Sequence, residues 1–135
     1  MSFPNLNIEN LIEFPHSHKG GIVAYGGNLS PGVLLSAYLQ GIFPWYNKND
    51  PITWWSPNPR FVLLPQNFHI PKSLRKFISS NDRLPENSSQ RYFYTQNKAF
   101  ADVINFCATT QRPDQNGTWI HPEMIEAYTK LFELG

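Results

Sequence analysis

The chain has 135 residues, 41% hydrophobic and 16% charged, a composition of globular proteins and far from the sparse, highly charged chains that stay disordered. A formal net charge of +1 excludes a globally basic surface, so any nucleic-acid contact must come from local clustering of basic residues. The single cysteine, Cys107, excludes an internal disulfide and a zinc site built on two thiols.

The length suits one domain with a real core, or a small lobe joined to part of a second. No uninterrupted apolar run approaches the ~20 residues of a membrane span. The first residues, Met1-Ser2-Phe3-Pro4-Asn5, lack the charged-then-apolar plan of a signal peptide, so a cytoplasmic location and no membrane partner are expected.

In chain order, the first predicted element is a helix over 31–40. Ser30 suits the N-cap, Pro31 the first turn, and Gly41 the left-handed residue that ends it. Val33, Leu34, Ala37 and Tyr38 follow helical spacing, which by itself makes Tyr38 a core-edge aromatic. The stretch GIFPWYNKNDPITWWSPNPRFVLLP, Gly41 to Pro65, then gathers Trp45, Trp54 and Trp55 among five prolines. Those prolines keep it in loop and extended conformations. Within it Ile52–Trp55 reads as a short strand and Arg60–Leu64, rich in aromatic and branched residues, as a better one.

A second helix is predicted from Pro71 to about Ser79, a strand over Arg91–Thr95, and a third helix capped by Asn97 and reaching Ala108. The segment SSNDRLPENSSQ between helix and strand is polar and turn-rich. After the polar loop TTQRPDQNG come Thr118-Trp119-Ile120 and a fourth helix from Pro122, closed by Gly135. Its stripe of Met124, Ile125, Tyr128, Leu131 and Phe132 faces a core. Mixed strands and helices after residue 60, following a smaller proline-rich lobe, argue for α+β or α/β with two subregions. The chain is then either a compact small domain or the front part of a longer protein.

Common catalytic signatures are absent: there is no G-x-x-x-x-G-K-[ST], G-x-S-x-G, H-E-x-x-H or C-x-x-C. His16-Ser17-His18 is a weak metal signal in a turn. Glu123 and Glu126 occupy the first turns of the last helix, where acidic residues already favour the dipole. Cys107, inside the apolar helical pattern FADVINFC, reads as a buried thiol. Lys72, Arg75 and Lys76 stand at i, i+3 and i+4, giving one cationic helix face. Such a face suits phosphates, and a merely solvated face looks the same. Trp45 and Tyr46, held by stiff prolines, make a preorganised apolar wall able to stack on a base or accept a hydrophobic side chain. Packing of a small lobe has the same signature.

The blocks GGNLSPGVLLSAYLQGIFPWYNKNDPITWWSPNPRFVL, HIPKSLRKF, FADVINFCA and GTWIHPEMIEAYTKLFELG resemble, in order and spacing, the bacterial leucyl/phenylalanyl-tRNA-protein transferase family over nearly all of residues 21–135. G-I-F-P-W, W-W-S-P-x-P-R and G-T-W-I carry most of that resemblance. It implies an aminoacyltransferase that moves leucine or phenylalanine from aminoacyl-tRNA to the N-terminal amino group of proteins beginning with Arg or Lys, marking them for degradation. The donor is an activated ester, so neither ATP nor a metal is expected and no cofactor is implied.

The implied fold is α+β: a proline- and aromatic-rich N-terminal lobe (1–65), then the beginning of an N-acetyltransferase-like (GNAT-like) domain (66–135). By resemblance Trp45 and Trp119 lie around the aminoacyl-adenosine end, Tyr38 and Tyr128 flank it from two helices, and Lys72 and Lys76, with Arg75 on the same face, meet the tRNA backbone. The same resemblance implies that family members continue beyond KLFELG into strands carrying most of the side-chain pocket and the transfer-step aspartate and glutamine. The catalytic residues are therefore expected beyond residue 135, on a C-terminal segment that becomes a further partner. A noncatalytic RNA-binding or protein-interaction fragment retaining the aromatic wall and basic helix is the alternative.

Overall fold

The computed structural model describes residues 11–16, 20–111, 113 and 118–135. Among these residues three strands and four helices follow in order: β1 (Ile22–Tyr25), α1 (Pro31–Leu39), β2 (Phe43–Pro44), β3 (Thr53–Trp55), α2 (Lys72–Asp82), α3 (Phe100–Thr109) and α4 (Pro122–Glu133), with a 3-10 turn at Pro65–Asn67. The strands form one antiparallel sheet in the order β1-β3-β2, so the fold class is α+β, and among the described residues no parallel sheet is formed. The chain divides into two units, one of Met1–Pro59 with Ala99–Gly135 and the other of Arg60–Lys98.

In the first unit the helix predicted over 31–40 is α1. Its end is a Schellman arrangement: Gly41 takes φ 72°, its N–H donates to Tyr38 O at 3.1 Å, and the Ile42 N–H donates to Ala37 O at 2.8 Å. Both bonds satisfy carbonyls that the last helical turn leaves open. Ser30 is the N-cap residue, but its side chain makes no capping bond; the Ser30 N–H instead donates to Asn28 Oδ1 at 2.9 Å.

The short central strand β3 pairs with β1 through Ile22–Trp55, Ala24–Trp54 and Tyr25–Thr53, with an irregularity between the first two pairs. Because strand side chains alternate faces, Trp54 points into the core and is buried while Trp55 is only half-buried. The Trp54 indole N–H donates to Gly26 O at 3.0 Å, and its ring meets Phe14 at 5.0 Å. Pro44, which cannot donate to a ladder, sits on the edge strand β2, where that costs nothing. Gly21, at φ 83°, has no room for a side chain, since a Cβ there would lie 2.8 Å from Pro57 Cα.

The core joins both ends of the first unit: Val23, Leu29, Leu34, Ala37, Ile42, Tyr46, Ile52 and Trp54 pack with Met124 and Ala127 of α4. Helix α4 packs against α1 and α3, whereas α3 packs against α4 alone among the elements. Cys107 on α3 is half-buried, not buried as its pattern suggests, because α3 has that single neighbour. The third helix starts later than the sequence suggests. Its N-cap is Ala99, because Asn97 adopts φ 57°, a left-handed conformation incompatible with the extended backbone of an N-cap.

In the second unit no residue is fully buried. Helix α2 begins after Pro71 and runs to Asp82, one turn past the predicted end. Neither predicted strand forms. Over 61–64 no ladder partner is present among the described residues, and Phe61 to Leu64 are exposed. Over 91–95 the Asn81 side chain does the work of a neighbouring strand for one residue: it accepts from the Tyr92 N–H at 2.7 Å and donates to Tyr92 O at 3.0 Å. The Tyr92 ring lies 5.6 Å from Phe77, and Arg91 donates to Leu84 O at 2.7 Å. These local bonds tie the segment to the end of α2. Among the described residues no helix is long and apolar enough to cross a membrane.

Candidate functional site

Within the first unit an aromatic and polar cluster forms where α1, α4 and the segment after β2 meet. Tyr38 projects from the last turn of α1 and Tyr128 from the middle of α4. Their hydroxyls are hydrogen-bonded, with rings edge-on at 6.4 Å. Burial, then the Tyr38 hydroxyl, push the Tyr128 phenol far above its ordinary ionisation range. It therefore stays protonated at neutral pH and serves as a hydrogen-bonding group, not a base.

Tyr46, the first residue after the F-P-W block, turns inward. Its O–H donates to Glu123 Oε2 at 3.3 Å, and its ring meets the His121 imidazole edge-on at 4.8 Å. Burial first, and then the Glu123 carboxylate, raise its phenol from 10.0 to about 12. His121 precedes Pro122 as the N-cap residue of α4; it is buried, and its Nε2 has no hydrogen-bond partner among the described residues.

The Tyr46–His121 contact brings together the two segments that carry the tryptophans singled out above. Trp45 is 53% exposed, yet its backbone is clamped on both sides: its N–H donates to Thr53 O at 2.9 Å, and its carbonyl accepts from the Trp55 indole at 2.7 Å. The Trp45 and Trp55 rings lie 5.8 Å apart. A large indole is thus held rigidly while facing solvent, the low-entropy presentation that suits stacking. Trp119 stands two residues before His121, half-buried against the core. It lines, with Tyr128, Met124, Ile120 and four α3 side chains, an apolar cavity of about 200 Å³. Among the described residues no ring contact joins Trp45 to Trp119 directly.

In the second unit Lys72, Arg75 and Lys76 are exposed on α2. Among the described residues their side chains take no hydrogen bond or ion pair, leaving three cations free for an anionic ligand. Among the described residues no group of three His, Cys, Asp or Glu side chains is placed to hold a metal ion; His18 of the proposed pair, and Gly117 of G-T-W-I, lie outside them.

Sequence reasoning missed Tyr46, Glu123 and His121 as a unit. Glu123 has the ordinary helix-start position that the dipole explains, and only the tertiary contact shows that it also accepts the Tyr46 hydrogen bond. The available signal was His-Pro at the head of α4, which identifies an N-cap residue whose ring must be accommodated beside the first turn.

Comparison with known proteins gives the same assignment for both parts of the chain. Residues 62–135 match the family model described as leucyl/phenylalanyl-tRNA protein transferase, and residues 27–58 match that of its N-terminal domain. Among curated relatives named leucyl/phenylalanyl-tRNA–protein transferase, the one from Lawsonia intracellularis is 50% identical over 115 residues, 85% of this chain and 46% of the relative. That from Anaeromyxobacter sp. is 50% identical over 127 residues, 92% of this chain and 50% of the relative. That from Sulfurimonas denitrificans is 42% identical over 131 residues, 95% of this chain and 53% of the relative. The chain spans about half the length of the curated relatives it matches. With both family models matched in order and identity near one residue in two, the chain belongs to the leucyl/phenylalanyl-tRNA protein transferase family.

Proposed function

We propose that this chain serves the transfer of leucine or phenylalanine from aminoacyl-tRNA to the N-terminal amino group of a protein beginning with Arg or Lys, a modification that marks the acceptor for degradation. Trp45 and Trp119 hold the aminoacyl-adenosine end, Tyr38 and Tyr128 flank it, and Lys72, Arg75 and Lys76 meet the tRNA backbone. The observation that carries this reading is the Tyr46–His121 ring contact at 4.8 Å, which joins the segments bearing the two tryptophans.

In this reaction the unprotonated amine attacks the ester carbonyl carbon. A C–N bond forms, a tetrahedral oxyanion develops, and the C–O bond to the terminal ribose breaks as the departing oxygen takes a proton. The ester is already activated, so the step requires neither ATP nor a metal. Tyr128 stays protonated, so its role is to donate or relay a hydrogen bond near the ribose; the base that takes the amine proton and the side-chain pocket belong to residues beyond 135. Residues 66–135 are the beginning of an N-acetyltransferase-like domain, and residues 1–65 are the N-terminal lobe. The gap between the two matched family stretches, 58 to 62, falls near that boundary. A cytoplasmic location follows from the substrate, charged tRNA.

The test is transfer of labelled phenylalanine from Phe-tRNA to a peptide with N-terminal arginine, with this chain alone and with the remaining half of a relative co-expressed. Transfer that requires both halves, and that falls in Trp45→Ala and Trp119→Ala, is the expected result. tRNA binding that persists with no transfer from the assembled pair would favour a noncatalytic RNA-binding or protein-interaction module, the second reading, which the unpaired cations of α2 support.

A further inference from the structure

A second indole stands beside Trp45. Trp55 ends β3 on the face of the sheet opposite to buried Trp54, and with Ile22 and Phe43, its register partners on β1 and β2, it stays half-buried. Its N–H is taken by the Trp45 carbonyl at 2.7 Å, and the two rings lie 5.8 Å apart with their planes inclined at 55°. One flat ligand cannot lie against both planes at that inclination. Two flat groups joined by a short flexible link can, one on each ring. The 5.8 Å between centroids exceeds the ~3.4 Å between stacked bases of a strand. A strand held on both indoles therefore has two neighbouring bases parted from each other and each restacked on protein, as single-strand binders seat successive nucleotides.

Resting on the reading that places the terminal adenosine of a tRNA at Trp45, we propose that Trp55 seats the base that precedes it in the single-stranded 3′ end. A single phosphodiester joins that base to the adenosine, so binding at Trp45 carries it to the neighbouring ring at high effective concentration. With its N–H held by Trp45 O, Trp55 presents a π-face and no free donor. It holds the base by stacking without reading its edge, so this seat accepts any base. The same hydrogen bond makes the two seats one unit: the residue that receives the second base also fixes the backbone that carries the first ring.

The test measures binding of the intact 135-residue chain to a fluorescent tRNA acceptor hairpin and to two altered forms, one abasic at the last position and one abasic at the position before it. Both losses weaken binding to the wild type, the second by roughly 5- to 150-fold, the range for one base stacked on an aromatic ring. Trp55→Val, a residue suited to a strand, binds the hairpin with and without the penultimate base equally, to within about twofold. Trp55→Phe, which keeps a ring and loses the N–H, retains most of the sensitivity, which a residue that only positions Trp45 would not. Uridine in place of the penultimate cytidine leaves binding unchanged. A readout that needs no variant is photocrosslinking of the wild type to a hairpin with 5-iodocytidine at the penultimate position, and the adduct forms at Trp55. The proposal alone is overturned if the wild type ignores the penultimate base while the terminal one still matters, if Trp55→Val is as sensitive as the wild type, or if the adduct forms elsewhere. Insensitivity to both bases, or no binding, overturns it together with the reading of Trp45.

Discussion

Replacing Lys72, Arg75 and Lys76 together by alanine tests the proposed phosphate row most directly, because the three cations share one exposed face of α2 and have no competing partner among the described residues. Each phosphate neutralised on binding releases condensed counterions, which contributes about 0.9 to the slope of log affinity against log salt on a duplex and about 0.7 on a single strand. Three contacts therefore contribute roughly 2 to 3 to that slope. Between 50 and 200 mM salt, a fourfold range, the wild type should lose roughly 20- to 40-fold more affinity than the triple variant. Fluorescence anisotropy with a labelled tRNA acceptor hairpin measures this over the stated range. Alanine is the better helix former at exposed positions, so the variant keeps its fold. Lys130→Ala, on α4, removes a charge elsewhere and should leave the slope near that of the wild type. An unchanged slope in the triple variant, or an equal change in Lys130→Ala, would refute phosphate contact by α2.

Three further outcomes follow from the first unit. Leu34, with no exposed surface, sits in the core shared by α1 and α4, so Leu34→Ala should destabilise by about 2–5 kcal/mol, read as a lower urea midpoint; a change below half a kcal/mol would mean the site collapses freely. An unfolded tyrosine ionises near 10.0, whereas folded Tyr46 keeps its proton up to about 12. Its contribution to stability is therefore complete below pH 10 and is lost as pH rises through 12. Tyr46→Phe should flatten the fall in urea midpoint across that window, and an identical fall in both proteins would count against the raised phenol. Tyr38→Phe and Tyr128→Phe remove the two ends of one hydrogen bond, so a double-mutant cycle on stability should show coupling of about 0.5–3 kcal/mol, and additivity would argue that the bond is not formed in solution.

What was legible in the sequence was local, and what was not depended on a neighbour. Pro31 and Gly41 bracket α1 because one fits a first turn and the other a left-handed exit, and both effects are decided within a few residues. Trp54 and Trp55 divide between core and surface because a strand alternates its faces, although sequence alone left open which of them goes inward. The candidate site was legible only in its local parts: the F-P-W and T-W-I blocks single out Trp45 and Trp119 as candidates, but Tyr46, Glu123 and His121 meet across about 75 residues of chain, a distance over which no spacing rule operates.

Arg60–Leu64 and Arg91–Thr95 show the same limit from the other side. Their branched and aromatic residues have strand propensity, but that propensity is a fitness for a pleated, half-buried surface and acts only when another strand supplies the surface. Tyr92 meets that need at a single residue, through the Asn81 amide; Phe61, which is fully exposed, does not meet it at all. Helix α3 repeats the argument in helical form, since periodicity correctly gives its extent while its composition asks for a second apolar neighbour. Pattern specifies what an element needs, and the fold shows whether this stretch of chain supplies it. The unmet needs are therefore physical information about a partner, and a partner that satisfies them should turn 60–64 and 91–95 into strands. Backbone hydrogen exchange at Val62 and Phe93, fast in the 135-residue chain, should slow by at least about a hundredfold once that partner is bound, the protection expected of about 2.7 kcal/mol of added local stability; unchanged exchange in a verified complex would show that these segments are not latent strands.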